Sequence, residues 1–138
     1  MKESITLNWL NNMAFETEVN GHKLYIDASA ENNGKNLGPR PKLLTLVSLG
    51  GCTGMDVVSI LGKMRVEFDS LQIEVDSDLA DEHPKKFNTM KIIYLFKGNN
   101  LPMDKLQKAV ELSQEKYCGV TATLQDSVKI EYEIKILD

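Results

Sequence analysis

The chain has 138 residues, 42% of them hydrophobic and 26% charged, with 9 Gly, 4 Pro and 2 Cys. That length and composition suit a single globular domain over residues 1–138 and exclude disordered, collagen-like and disulfide-rich secreted chains. A formal net charge of -4 gives no general attraction to nucleic acid or anionic membrane, whose binding rests on clustered Lys and Arg, so neither partner is expected.

The opening MKESITLNWL holds Lys2 and Glu3 and lacks an apolar stretch followed by a small-residue cleavage site, which makes the cytoplasm the expected location. From Ser4 to Ala28 the chain reads as strands, because AFETEV and HKLYIDA alternate apolar and polar residues around Asn20-Gly21, a strong hairpin signal. The Asn-, Gly- and Pro-rich ENNGKNLGPRP reads as a surface loop. Pro41 then opens a central helix, LLTLVSLGGCTGMDVVSILGKM, apolar on nearly every side and expected to be buried all round. Its apolar stretch from Leu43 to Leu61 approaches bilayer length, but Asp56 near the middle, costing roughly 2.5–3.5 kcal/mol in a membrane, favours a core helix.

Two strands follow, LQIEVDSDL with Leu71, Ile73 and Val75 on one face, and the run from Met90 to Phe96; the polar loop Asp81 to Lys86 lets them pair antiparallel. Pro102 opens an amphipathic helix with the stripe Met103, Leu106, Val110 and Tyr117, which Gly119 is expected to end. The last segment, SVKIEYEIKIL, alternates as a half-buried strand with a charged outer face. The order β, β, β, α, β, β, α, β predicts an α+β fold in which antiparallel sheets wrap the central helix. A helix apolar on all faces needs more cover than this small domain offers, so a homodimer is expected.

Cys52 and Cys118 are the candidate chemistry. Around Cys52, Gly50, Gly51 and Gly54 each cost roughly 1 kcal/mol in a helix interior relative to Ala. They signal close approach by a second helix, a ligand or a substrate oxygen, unless Cys52 is an inert thiol in tight packing. Cys118 falls at the expected C-terminal end of the second helix, where the macrodipole disfavours a thiolate, which makes it the better resolving thiol. A thiolate calls for a neighbouring cation, and the chain has only Arg40 and Arg65 as arginines. Arg40 stands twelve residues before Cys52, about 18 Å along a straight helix, so contact needs a fold-back, a kink, or a neighbouring subunit's Cys52 approached by Arg40 or Lys42. Asp56, on the Cys52 face, reads as structural, pairing with a base or capping a buried network, and a negative neighbour raises the thiol pKa.

Neither His22 nor His83 has zinc-site spacing to a cysteine, so no metal is expected. No Walker loop, G-x-G-x-x-G or G-x-S-x-G is present, and no cofactor is expected. Trp9, Tyr25, Tyr94, Tyr117 and Tyr132 sit in apolar patterns and read as core.

GPRPKLLTLVSLGGCTGMDVVSIL and YCGVTATL resemble the corresponding segments of OsmC/Ohr-type proteins, the osmotically inducible and organic hydroperoxide resistance group. The first is similar to the signature of the less characterised OsmC-like branch, and the resemblance covers essentially the whole chain. It implies an α+β fold, an intertwined homodimer with two interfacial sites, and a thiol peroxidase acting on organic or inorganic hydroperoxides without metal or haem. Cys52 falls on the peroxidatic position and Cys118 on the resolving one. The implied cycle runs through a Cys52 sulfenic acid and a Cys52–Cys118 disulfide that an external dithiol reduces. Family peroxidases carry a glutamate just after the proline before the helix, where Lys42 and Leu43 follow Pro41 here, and an early-strand arginine, whereas no arginine precedes Arg40. The alternative is a dimeric small-molecule-binding or redox-sensing protein with little peroxide turnover.

Overall fold

The computed structural model describes every residue from Met1 to Asp138, and the chain forms two compact units, Met1–Leu46 and Val47–Asp138. Both lie in the stretch that the sequence presents as one domain.

In the first unit β1 (Leu7–Asn11), β2 (Ala14–Val19) and β3 (His22–Ile26) form an antiparallel sheet in that order. Val19 pairs with His22 across Asn20 (φ 51°) and Gly21 (φ 81°), both left-handed as a two-residue hairpin turn requires. The Gly- and Asn-rich segment is the expected loop, with one short 3-10 turn at Ala30–Asn32. Asp27 organises it: Oδ2 accepts the N–H groups of Lys35 and Leu37, each at 3.1 Å, and Oδ1 accepts that of Ala28 at 2.7 Å. A side chain at Gly38 would stand 2.1 Å from the Tyr25 carbonyl oxygen, so this loop and β3 approach too closely for any other residue. The unit buries only Ala14 and Asp27, and leaves Trp9, Met13, Phe15, Leu24 and Tyr25 exposed.

A 3-10 turn at Pro41–Leu43 leads into α1 (Leu44–Lys63), with Pro at the first position as expected. The helix ends in a Schellman arrangement, Arg65 left-handed at φ 59°, with Val66 N–H donating to Leu61 O and Arg65 N–H to Gly62 O. In the second unit β4 (Ser70–Leu79) pairs antiparallel with β5 (Phe87–Lys97). Leu71, Ile73 and Val75 are the inward residues of β4, as the alternation predicts. After α2 (Met103–Leu112), a π-turn (Ser113–Tyr117) and α3 (Gly119–Leu124), the chain ends in β6 (Lys129–Ile136) beside β5.

Three expectations are corrected. The β4-β5-β6 sheet is mixed, not antiparallel: β6 runs parallel to β5, because the helical connection carries the chain back to the end at which β5 began. α1 is not buried all round. Leu49, Thr53, Val57 and Leu61 form one buried stripe, while Val47, Met55 and Val58 stand exposed, Met55 at 77%, since a single chain covers one face only. Gly119 does not end α2. The helical run from Met103 continues through the π-turn and stops at Tyr117, with Cys118 as its cap; Gly119 opens a new helix, and Met103 and Tyr117, at the two ends of the expected stripe, are exposed.

The glycines of α1 have separate reasons. A Cβ on Gly50 would meet Val75 at 3.1 Å and one on Gly54 would meet Ile73 at 2.8 Å, so these two let the helix lie close on β4, whereas Gly51 faces open space.

Candidate active site

The second unit brings Cys52 and Cys118 together. Their sulfurs and a carboxylate oxygen of Asp56 all lie within 4.8 Å of one another. Cys52 and Asp56 share a face of α1 at i, i+4. Cys52 is half-buried and Cys118 buried, and both are free thiols. Cys118 closes the helical run that begins at Met103, as the sequence suggests, its N–H donating to Ser113 O, and it also caps the N-terminus of α3, where its sulfur accepts the Thr121 N–H at 3.4 Å. The N–H donated to its sulfur at the start of α3 opposes the negative end of the preceding helix. The neighbouring N–H of Val120 donates to the Cys52 sulfur, so the start of α3 holds both sulfurs.

Burial pushes the Cys52 thiol above its usual range; the Val120 N–H works against this, and the Cys118 thiol and Asp56 carboxylate add to the rise. The expected effect of Asp56 on the thiol is thus present. Arg40 is engaged in its own loop, donating to Gly38 O and to Asn36 Oδ1, each at 2.8 Å, and it helps hold the Asp27 carboxyl below its usual range.

Beside the thiols runs a buried network that the sequence reading missed. Thr53 Oγ1 lies 2.6 Å from Tyr94 OH, 2.7 Å from Ser113 Oγ and 3.0 Å from Gln114 Nε2. Ser113 Oγ donates to Asp56 Oδ2 at 2.9 Å, and Thr121 Oγ1 donates to Gln114 Oε1 at 3.1 Å. The proton directions follow from hydroxyl valence. Ser113 spends its one proton on the Asp56 carboxylate, so it accepts from Thr53; Thr53 then accepts from Tyr94 and from the Gln114 amide. The hydroxyls form a directed chain, Tyr94 to Thr53 to Ser113, ending on the Asp56 carboxylate. No buried side-chain nitrogen or oxygen lacks a partner. Burial pushes the Tyr94 phenol up to about 12, although its bonds to Thr53 and Gln114 pull the other way.

This arrangement was partly visible in spacing. Thr53 occupies the buried register of Leu49, Val57 and Leu61, and Ser113 continues that of Leu106, Ala109 and Val110. A lone hydroxyl in such a stripe marks a buried hydrogen-bond partner elsewhere.

Chemically, two thiols within a few ångströms are poised to form a disulfide after a small movement, and the carboxylate beside them is oriented by the hydroxyl chain. The site thus joins one thiol of a long helix to a second thiol at the start of α3 in an α+β chain. The chain belongs to the OsmC-like protein family, whose family model matches residues 33–133. Protein YhfA of Escherichia coli strain K12 is 30% identical over 132 residues, covering 95% of this chain and 96% of that protein. A crystal structure of a hypothetical protein from Aquifex aeolicus VF5 is 30% identical with a TM-score of 0.83, covering 100% of this chain and 99% of the other. The organic hydroperoxide resistance protein OhrB of Bacillus subtilis shares the fold at a TM-score of 0.65 and 17% identity, over 98% of both chains.

Proposed function

We propose that the chain is a cysteine-based hydroperoxide reductase of oxidative stress defence. The Cys52 thiolate attacks one peroxide oxygen, the O–O bond breaks, and the departing alkoxide leaves as an alcohol once protonated. Cys118 sulfur then attacks the sulfenic sulfur, hydroxide leaves as water, and the disulfide is reduced by an external dithiol. The observation that carries this reading is the approach of the two sulfurs within 4.8 Å. Organic hydroperoxides are the first substrate class, inorganic peroxide the second.

The thiol needs a cation that offsets its raised pKa. Arg40, with Lys42 as its substitute, is assigned that task, acting from the second copy of a homodimer. The dimer itself is supported by exposed apolar faces in both units, including Trp9 and Phe15 in one and Val47, Met55 and Val58 in the other. The cytoplasm is the proposed site of action.

The test is loss of free thiol and intact mass after one equivalent of cumene hydroperoxide, and separately of hydrogen peroxide, on the reduced protein. Rapid loss of both thiols with loss of two hydrogens is expected, and Cys52→Ser abolishes peroxide consumption with the fold retained. Unchanged consumption in that variant removes Cys52 as nucleophile. One observation favours a second reading, a redox-sensing or small-molecule-binding protein with slow thiol oxidation: the Cys52 thiol is held protonated beside Asp56. Thiols that persist under excess peroxide support it.

A further inference from the structure

Cys52, Asp56 and Cys118 are three ligand side chains whose donor atoms lie within 4.8 Å of one another, although no zinc-like spacing is visible in the sequence. We propose that this trio, in its reduced form, is a binding site for one thiophilic divalent cation of the zinc type. The site has two sulfurs and one carboxylate oxygen, a donor set that zinc accepts and that magnesium and calcium do not.

The geometry is close to what the ion demands. Tetrahedral zinc, with bonds of about 2.3 Å to sulfur and about 2.0–2.2 Å to oxygen, sets neighbouring ligand atoms roughly 3.5–3.8 Å apart. Contraction from the present spacing is about 1 Å, shared between side chains that rotate at χ1. Cys52 and Asp56 stand on one face of α1, and the start of α3 fixes Cys118 opposite them. An outer shell is already built: Ser113 Oγ holds Asp56 Oδ2 at 2.9 Å and is itself held by Thr53. Such second partners orient a metal's carboxylate ligand.

Three groups that carry negative charge when ionised crowd together here, and a divalent cation relieves that crowding. Binding converts two thiols to thiolates, releases two protons to solvent and leaves the complex with a net charge of minus one. Asp56 also lines a cavity of about 390 Å³ together with Ser59, Lys63 and Tyr117. The cavity reaches the carboxylate side of the trio, and three protein ligands leave the fourth position of a tetrahedral ion to solvent.

The experiment is titration of the untagged, reduced, full chain with Co2+ under anaerobic conditions, with no peroxide present, so that its outcome is independent of the peroxidase reading. One equivalent is expected to develop thiolate-to-cobalt charge-transfer absorption and the intense visible bands of tetrahedral cobalt, both bleached by Zn2+. Cys118→Ser weakens the charge-transfer band, and Ser113→Ala lowers affinity by about 10–100-fold. Because Ser113 and Cys118 are buried, a second measurement uses the unaltered chain: one equivalent of Zn2+ protects both thiols from alkylation. Absence of the charge-transfer band in excess cobalt, equal alkylation rates with and without zinc, or undiminished cobalt affinity in Asp56→Asn overturns the proposal.

Discussion

Thr53→Val is the sharpest test of the directed hydroxyl chain. Valine keeps the shape of threonine and removes one oxygen that bonds Tyr94, Ser113 and Gln114 at 2.6, 2.7 and 3.0 Å. The three partners are not equally harmed. Ser113 still donates to Asp56, and the Gln114 amide retains Tyr94 OH at 3.4 Å. Tyr94, fully buried, loses the only acceptor for its proton, because the Gln114 amide nitrogen is itself a donor. An orphaned buried hydroxyl costs about 1–3 kcal/mol and each further lost bond about 0.5–1.5, so Thr53→Val should destabilise by about 2–4 kcal/mol. Tyr94→Phe leaves Thr53 bonded to Ser113 and Gln114 and should cost about 1 kcal/mol. The signature lies in the combination: in the Thr53→Val background, Tyr94→Phe removes the orphaned phenol but also the acceptor that the Gln114 amide had kept, so the double variant should lose clearly less than the sum of the two single losses. Urea unfolding at fixed protein concentration and unchanged m reads all three. A loss below about 1 kcal/mol for Thr53→Val, or losses that simply add in the double variant, refutes the assigned proton directions.

Two predictions concern pH. The Tyr94 phenol is raised from 10.0 to about 12, so the folded chain holds its proton more tightly than the unfolded one. That stabilisation is complete below pH 10.0 and is lost as pH rises toward about 12. The loss amounts to about 3 kcal/mol, and urea midpoints measured across this range should fall in the parent and much less in Tyr94→Phe. Asp27 is shifted the other way from its ordinary 3.8, chiefly by the Leu37 N–H, against burial, and then by the N–H groups of Ala28 and Lys35 and by Arg40. Its contribution is present above the ordinary carboxylate pKa and disappears as pH falls through the lowered one. Amide exchange at Lys35 and Leu37 should therefore be specifically accelerated in Asp27→Asn at neutral pH, and equal exchange in parent and variant removes the carboxylate as the organiser of the loop.

Much of the fold was legible because its signals are local. Asn20-Gly21 marks a turn that no other short pair makes as readily, Pro41 marks the entry to α1, and the alternation of Leu71, Ile73 and Val75 gives both the strand and its inner face. What failed was non-local or broke a period. Nothing in the spacing of Ser113 to Tyr117 announces a π-turn or the new helix that begins directly after it, so Cys118, at the end of one helical run as expected, also caps the start of the next and takes an N–H on its sulfur there. The direction of β6 depends on where its helical connection exits, which alternation within the strand does not encode. At the site, the i, i+4 relation of Cys52 and Asp56 was readable, but their meeting with Cys118, and that of Thr53 with Tyr94 and Ser113, is a product of tertiary packing.

The distinction between geometry and reactivity follows from the same features. Every buried side-chain nitrogen and oxygen already has a partner within the chain, and the spacing of Cys52, Asp56 and Cys118 is set by α1 and the start of α3. The acidity of Cys52 is another matter, since burial, Cys118 and Asp56 all hold its proton on. The Val120 N–H already works against that rise, and positive charge at the sulfur would lower the pKa further; the two proposals differ in which charge it is. A guanidinium or ammonium group stabilises the thiolate and leaves its lone pairs free to attack a peroxide. A divalent metal stabilises it by occupying those lone pairs. The two states therefore exclude each other on one set of atoms, and the reduced, metal-free thiol pair is the form that peroxide chemistry requires.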